Sequence, residues 1–303
     1  MGRAAENASK EIPALIKVWL ILYHAVPKVY LPNTKIDISF MVACGTFLFG
    51  VKLFFHRLLE TVFQWPTNSE ITWDAAASMT GVFHSLNLLP PLWMLLRSQP
   101  YNPSGPLHAH PQWWQDASQA LLQLTTGYMI YDMIVNIIAL RWVAGHGPTL
   151  TSTDYLFLGH HLATMIYMTS TRMFQAGHGS AMACMWLGEA TNPLFNSYLV
   201  TNLAKTVFST TTTATTTTVM QGIEISCALL FVFIRVFLSP LIFLHMTYDL
   251  VSSQDARTHI PVAMRILWVA MIWGVVFGSI PWVYDFVDII KSYYIGTSVK
   301  EEL

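Results

Sequence analysis

Seven stretches of mostly apolar residues constrain this chain more than any other feature: 38–56, 74–97, 117–142, 154–174, 179–201, 220–247 and 262–290. About twenty such residues in a helix cross the hydrocarbon core of a bilayer. Lipid offers the backbone no hydrogen-bond partners, so each stretch must satisfy its own N–H and C=O groups, which selects helices. The expected fold class is therefore all-α, a multi-pass transmembrane helix bundle of about seven spans. Composition agrees, with 53% hydrophobic and 11% charged residues, where soluble chains carry roughly 25% charged. A net charge of −1 supplies no basic surface, so nucleic acid is not an expected partner and membrane lipids are. Cys44, Cys184 and Cys227 all fall inside apolar runs. Their number and spacing suit neither a disulfide framework nor zinc, and they read as small buried residues.

The organisation follows from the runs: an N-terminal cytosolic or interfacial segment over 1–37, one membrane domain over 38–290, and a C-terminal tail over 291–303. The stretch 12–31 is interrupted by Lys17, Lys28 and Pro27 and has no cleavage signature, so it reads as an interfacial helix rather than a signal peptide or a span. Lys10, Lys17, Lys28 and Lys35 before the first clear span place the N-terminus in the cytosol. Seven spans then put the tail, with its terminal "KEEL", in the lumen. An N-A-S sequon at Asn7 counts only if that end is lumenal. "QPYNPSGPLHAHPQ" (99–112) and "GHGP" (145–148) read as connectors, and "STTTTATTTTV" (209–219) reads as a low-complexity loop without chemistry.

Charged and amide side chains inside the runs do not belong in lipid, where each costs a few kcal/mol or more at mid-depth. The third run carries Tyr128, Asp132 and Asn136 at i, i+4 and i+8, on one helix face. The fifth carries Glu189, Asn192 and Asn196 in the same manner. Its Pro193 cannot donate to the carbonyl of Glu189, so a kink is expected there. The sixth carries Glu224 and, about midway, Arg235 followed by Pro240; the second carries His84. Polar groups at similar depth on five helices suggest a lined cavity for a lipid or small molecule, with Asp132 and Arg235 in one buried network.

The fourth run opens with His160 and His161. Adjacent helix positions diverge by about 100°, so one ring is expected to face the cavity and the other to bond a neighbouring helix, with Thr164 one turn beyond His160. A neutral imidazole can take or give a proton near neutral pH. No metal is expected, because a single His-His pair falls short of the histidine boxes a di-iron lipid enzyme needs, and His108, His110, His146 and His178 fall in or beside loops. No G-x-S-x-G, C-x-x-C or P-loop pattern is present.

Taken together, "FHS" at 83–85, "GYMIYD" at 127–132, "HHLAT" at 160–164, "GEATNPLFN" at 188–196 and the Arg235–Pro240 pair resemble the TLC (TRAM, LAG1 and CLN8 homology) family over approximately 38–290. That family consists of multi-pass membrane proteins and includes the ceramide synthases. The resemblance implies an endoplasmic reticulum or other endomembrane location and work on sphingolipids or acyl chains. His160 and His161 match the double histidine of the ceramide synthases. The paired aspartates that follow it there have no counterpart in "QAGHGSAMACMWLGEATNP". The E-x-T-x-P form resembles instead the TLC-domain-containing subfamily that includes the transmembrane protein 56 group.

The reading these residues support is a lipid-handling protein that binds an acyl or sphingoid lipid in the bundle and contributes to membrane lipid homeostasis, without a cofactor. The lipid-binding or polar-cavity residues would be His84, Tyr128, Asp132, Asn136, Thr164, Glu189, Asn192, Asn196 and Arg235. One alternative is an acyl-CoA-dependent N-acyltransferase, with acyl-CoA as co-substrate and His160 or His161 as catalytic base, oriented by Asp132 or Glu189. The loops show no Lys/Arg cluster for the CoA phosphates, which favours the first reading. A membrane scaffold that binds no lipid is the third.

Overall fold

The computed structural model describes residues 12–34, 36–67, 69–139, 152–208 and 214–295. Among them the chain is helical, with two isolated antiparallel bridges, Tyr30 to Asp37 and Pro106 to Ala176. In order, the helices are α1 (Ala14–Ala25), α2 (Ser39–Thr61), α3 (Glu70–Ser98), α4 (Gln112–Tyr131), α5 (Ser152–Phe174), α6 (His178–Glu189), α7 (Asn192–Val207), α8 (Ala214–Val232), α9 (Ser239–Ser252), α10 (Gln254–His259), α11 (Val262–Gly278) and α12 (Ile280–Ile295). A π-helical stretch, Asp132–Ala139, extends α4, and a second, Phe233–Leu238, joins α8 to α9.

Each of the seven apolar stretches is occupied by a helix or by a pair of helices meeting end to end. By length and hydropathy, three segments among the described residues are apolar enough to cross a membrane: Ser39–Thr61, Thr217–Ser252 and Val262–Ile295. The other rods are less apolar because they bury polar side chains in the bundle, among them Thr80, His84, Ser118, Gln123, Thr171 and Arg172. α1 has twelve residues, about 18 Å of helix, which is short of the core of a bilayer. It buries Ile16 and Tyr23 against the bundle and exposes Val18, Ile21 and Leu22.

Local chemistry explains the breaks. Ser69 caps α3 by accepting from the Thr72 N–H at 3.3 Å, the role a hydroxyl plays at an N-cap. Pro193 stands in the first turn of α7, and α6 ends at Glu189. Pro240 stands in the first turn of α9, directly after the π stretch; a proline clashes with the carbonyl four residues back, and the wider π turn accommodates it. α5 turns into α6 at Gly177, whose φ of 81° suits a residue without a Cβ. A Cβ there would also stand 2.7 Å from the Trp268 ring. α2 and α4 cross at Gly45 and Gly127. A Cβ on Gly45 would lie 3.1 Å from the Gly127 carbonyl oxygen, and one on Gly127 would run into the Met41 carbonyl. Small residues permit such close approach between membrane helices.

One expectation is corrected here. The threonine-rich run is a helix from Ala214 onward, not a loop. β-Branched residues disfavour a helix by only tenths of a kcal/mol each, and the apolar run that follows carries the turn backward. Ser209–Thr213 lies outside the described residues, as do the 145–148 turn, the Asn7 sequon, Lys10, Lys35 and the tail from 296. The 99–112 segment is a connector as expected, but a fastened one. Its Ser104 is fully buried, donating to Asp249 Oδ2 at 2.5 Å and meeting the Ser253 hydroxyl at 2.8 Å. Cys44 and Cys227 are buried and Cys184 half-buried, all as free thiols.

A polar clamp ties the segment between α1 and α2 to the bundle. Arg172 on α5 donates through Nη2 to the Asp37 carbonyl and through Nε to Gln119 Oε1 at 3.0 Å. The Gln119 amide then reaches His178 Nε2 at 3.2 Å. Gln123 Nε2 donates to Asp37 Oδ2 at 3.4 Å, and Lys28 Nζ lies 3.4 Å from the same oxygen. Burial pushes the Asp37 carboxyl up, but the Ser39 hydroxyl and N–H, the Val29 N–H and the Lys28 ammonium outweigh it and hold it below the ordinary carboxylate range.

Candidate functional site: a buried polar cluster between the helices

Lys52 on α2 is 1% exposed and donates to Asn136 Oδ1. Its ammonium also lies 5.1 Å from the centre of the Trp73 ring. Asn136 Nδ2 donates to Asp132 Oδ1 at 2.5 Å, and Asp132 Oδ2 lies 2.8 Å from His161 Nε2. The other ring nitrogen, Nδ1, stands 2.7 Å from the Phe157 carbonyl. A carbonyl only accepts, so Nδ1 carries a hydrogen, and one proton is held between Nε2 and the carboxylate. This chain of contacts crosses α2, the π extension of α4, and α5. Both nitrogens of His161 are engaged, so it has none left for a substrate.

His160 is different. Its ring stands edge-on to that of His161 at 5.8 Å between centroids and is partly exposed. Among the described residues its nitrogens take no hydrogen-bond partner. Thr164 follows one turn later, also half-buried. The expectation that one histidine bonds a neighbouring helix while the other stays open matches this arrangement, with His161 in the first role.

A second group centres on Glu189, at the end of α6. Its Oε2 accepts from the Ser85 hydroxyl at 2.6 Å and from Asn192 Nδ2 at 2.9 Å. Asn196 Nδ2 donates to the Asn192 carbonyl at 3.0 Å, and its amide packs so closely on α3 that a Cβ at Gly81 would lie 2.9 Å from it. The kink therefore does not scatter Glu189, Asn192 and Asn196. Arg235, in the π stretch after α8, donates through Nη2 to the Gly188 carbonyl at 3.3 Å. That carbonyl is one residue before the one the Pro193 argument frees. The guanidinium stands 5.5 Å over the Phe231 ring, and its Nε is buried with no partner.

His84 lies between the two groups. It is 1% exposed, stacks on Tyr128 at 4.0 Å and 10°, and leaves both ring nitrogens without a partner. Geometry ties the parts together: His84 adjoins Ser85, which donates to Glu189, and its ring stacks on Tyr128, one turn before Asp132. Asp132 and Arg235, expected in one buried network, make no direct contact: Asp132 meets His161 and Asn136, and Arg235 meets the Gly188 carbonyl. The π turn at Asp132 aims that carboxylate at α5, and Arg235 is taken up by the broken end of α6.

Two participants are missing from the sequence reading. Lys52 is not among the candidates named above, although its place inside the first apolar run marks it as an intramembrane charge. Ser85 gives no signal by itself, since a hydroxyl in a membrane helix is common. Among the described residues, no three His, Cys, Asp or Glu side chains converge as a metal site would require. Glu224 lies apart from the cluster, 3.8 Å from Lys205, beside a cleft lined by Gln221, Ile225, Ile289, Ser292 and Tyr293.

No curated protein and no solved structure matches this chain. A family model, the TLC domain of TRAM, LAG1 and CLN8, matches residues 74–288. The match begins within α3 and ends within α12, so α2 and its Lys52 lie before it, where the motifs alone suggested a start near 38. With well over half of its length matched, and with helices apolar enough to cross a bilayer, this membrane protein belongs to the TLC-domain family.

Proposed function

We propose that this protein binds an acyl or sphingoid lipid within its helix bundle and contributes to membrane lipid homeostasis, in the endoplasmic reticulum or another endomembrane. The E-x-T-x-P form at Glu189–Pro193 aligns it with the transmembrane protein 56 group rather than with the ceramide synthases. One observation carries the reading: polar side chains from seven helical segments meet in one cluster, yet both nitrogens of His84 and the Nε of Arg235 are buried without a partner, and the half-buried His160 takes none among the described residues. Buried polar groups without partners are rare and need a reason, and a bound amphiphile supplies one. Lipid mass spectrometry of protein purified in mild detergent tests it. An acyl or sphingoid lipid should co-purify in near-stoichiometric amount, and His160→Gln should change its amount or identity without unfolding the protein. Recovery of bulk membrane lipid only, in the proportions of the host membrane, would sink the proposal.

A second reading, acyl-CoA-dependent N-acyl transfer, is favoured by one feature, the unoccupied ring of His160. In that reading His160 and not His161 is the base. Purified protein given acyl-CoA and a sphingoid base is expected to show no turnover. Turnover that His160→Gln lowers roughly 10²–10⁴-fold, with folding intact, would establish the second reading over the first.

A further inference from the structure

We infer that Arg235 is the recognition site for the carboxyl group of an acyl lipid, which makes the bundle selective for fatty acyl carboxylates over sphingoid amines. The inference rests on the lipid-binding reading above and narrows it to one chemical class.

A guanidinium has five N–H donors in a fixed planar fork and no acceptor. In this bundle Arg235 spends Nη2 on the Gly188 carbonyl at 3.3 Å, and its buried Nε points at no acceptor. Among the described residues no carboxylate oxygen comes within 4.0 Å of it. Glu189 has its Oε2 held by Ser85 and Asn192 instead. The cation is thus fastened in place by a carbonyl and by the Phe231 ring, but lacks the charged partner that membrane-buried arginines usually have.

The side edge of the fork, Nε with Nη2, matches the spacing of two carboxylate oxygens. A carboxylate there would satisfy Nε and supply the missing negative charge. Arg235 lies midway along the 36-residue segment Thr217–Ser252, so a headgroup phosphate at the membrane surface does not reach it. An amphiphile taken in head first does. Its apolar body then runs along the exposed rings of Phe233 and Phe237, which flank Arg235 in the same π stretch. A sphingoid base, carrying an ammonium, is repelled by the same guanidinium.

The test uses the full chain purified in mild detergent, with three probes of similar chain length: oleate, its methyl ester and sphingosine. Oleate should bind best. Arg235→Gln should weaken oleate about ten- to a hundredfold, the range for a hydrogen bond to a charged group, and leave the methyl ester nearly unchanged. Arg235→Lys should recover part of the loss. If Arg235→Gln fails to fold, the selectivity of the wild type among the three probes still decides. Equal binding of oleate and its methyl ester, preference for sphingosine, or an Arg235→Gln that folds and binds oleate like the wild type overturns this inference and leaves lipid binding standing. Binding of none of the three overturns both.

Discussion

Two buried polar networks hold this bundle, and they differ in how completely they are satisfied. In the clamp around Asp37, every charged group has partners: Lys28 and Gln123 meet the carboxylate, Ser39 and Val29 donate to it, and Arg172 divides its donors between Asp37 and Gln119. Only Nδ1 of His178 is left over. In the mid-bundle cluster, Asp132 and His161 are saturated, while His84 lacks partners on both nitrogens and Arg235 lacks one on Nε. A network that only fastens helices is most stable when complete, since each stranded buried group costs about 1–3 kcal/mol. The incomplete cluster is where a ligand has something to do, and the complete clamp is where the N-terminal segment is docked.

The largest expected effect breaks the saturated half of the cluster. Asp132→Asn strands the charge of Lys52 and the proton of His161, and losing one member of a buried ionic network costs about 3–5 kcal/mol. Thermal unfolding in detergent should show that drop, and His161→Gln added to it should recover part. Arg235→Gln added to Asp132→Asn should instead be additive within about 0.5 kcal/mol. The reverse pattern would restore the coupling of Asp132 to Arg235 expected from the sequence.

A smaller effect separates the networks by function. Arg172→Gln removes charged donors from the clamp and should cost roughly 1.5–3 kcal/mol while leaving the amount of co-purified lipid unchanged. Loss of lipid with folding intact would show that the clamp belongs to the site, and the distinction drawn above would fail.

The smallest effect is on pH. Asp37 is held below its ordinary value of 3.8, so its contribution is present in full above that value and is lost as pH falls through the lower folded value. Acid should therefore loosen the α1–α2 segment. Asp37→Asn should flatten the dependence of Tm on pH below about 4; an unchanged slope would show that other carboxylates govern it.

Much of this arrangement was legible in the chain. The apolar runs locate the helices, because backbone groups in an apolar run must satisfy one another. Pro193 and Pro240 mark the broken ends, since a missing N–H and a steric clash act locally. Asp132, Glu189, Arg235 and the two histidines stand out because charge in an apolar run is costly wherever the chain goes. These are all properties of single segments, and a sequence carries them in full. Partnership is not such a property. That Asp132 meets His161 and Asn136, that Glu189 turns to Ser85, and that Arg235 closes on the Gly188 carbonyl depend on π turns at 132 and 233 and on the Gly45–Gly127 crossing. Those features set helix rotation to within a fraction of a turn. A shift of one residue rotates a side chain by about 100°, enough to move it from one neighbour to another, so only the packed bundle decides which histidine is bound and which is left open.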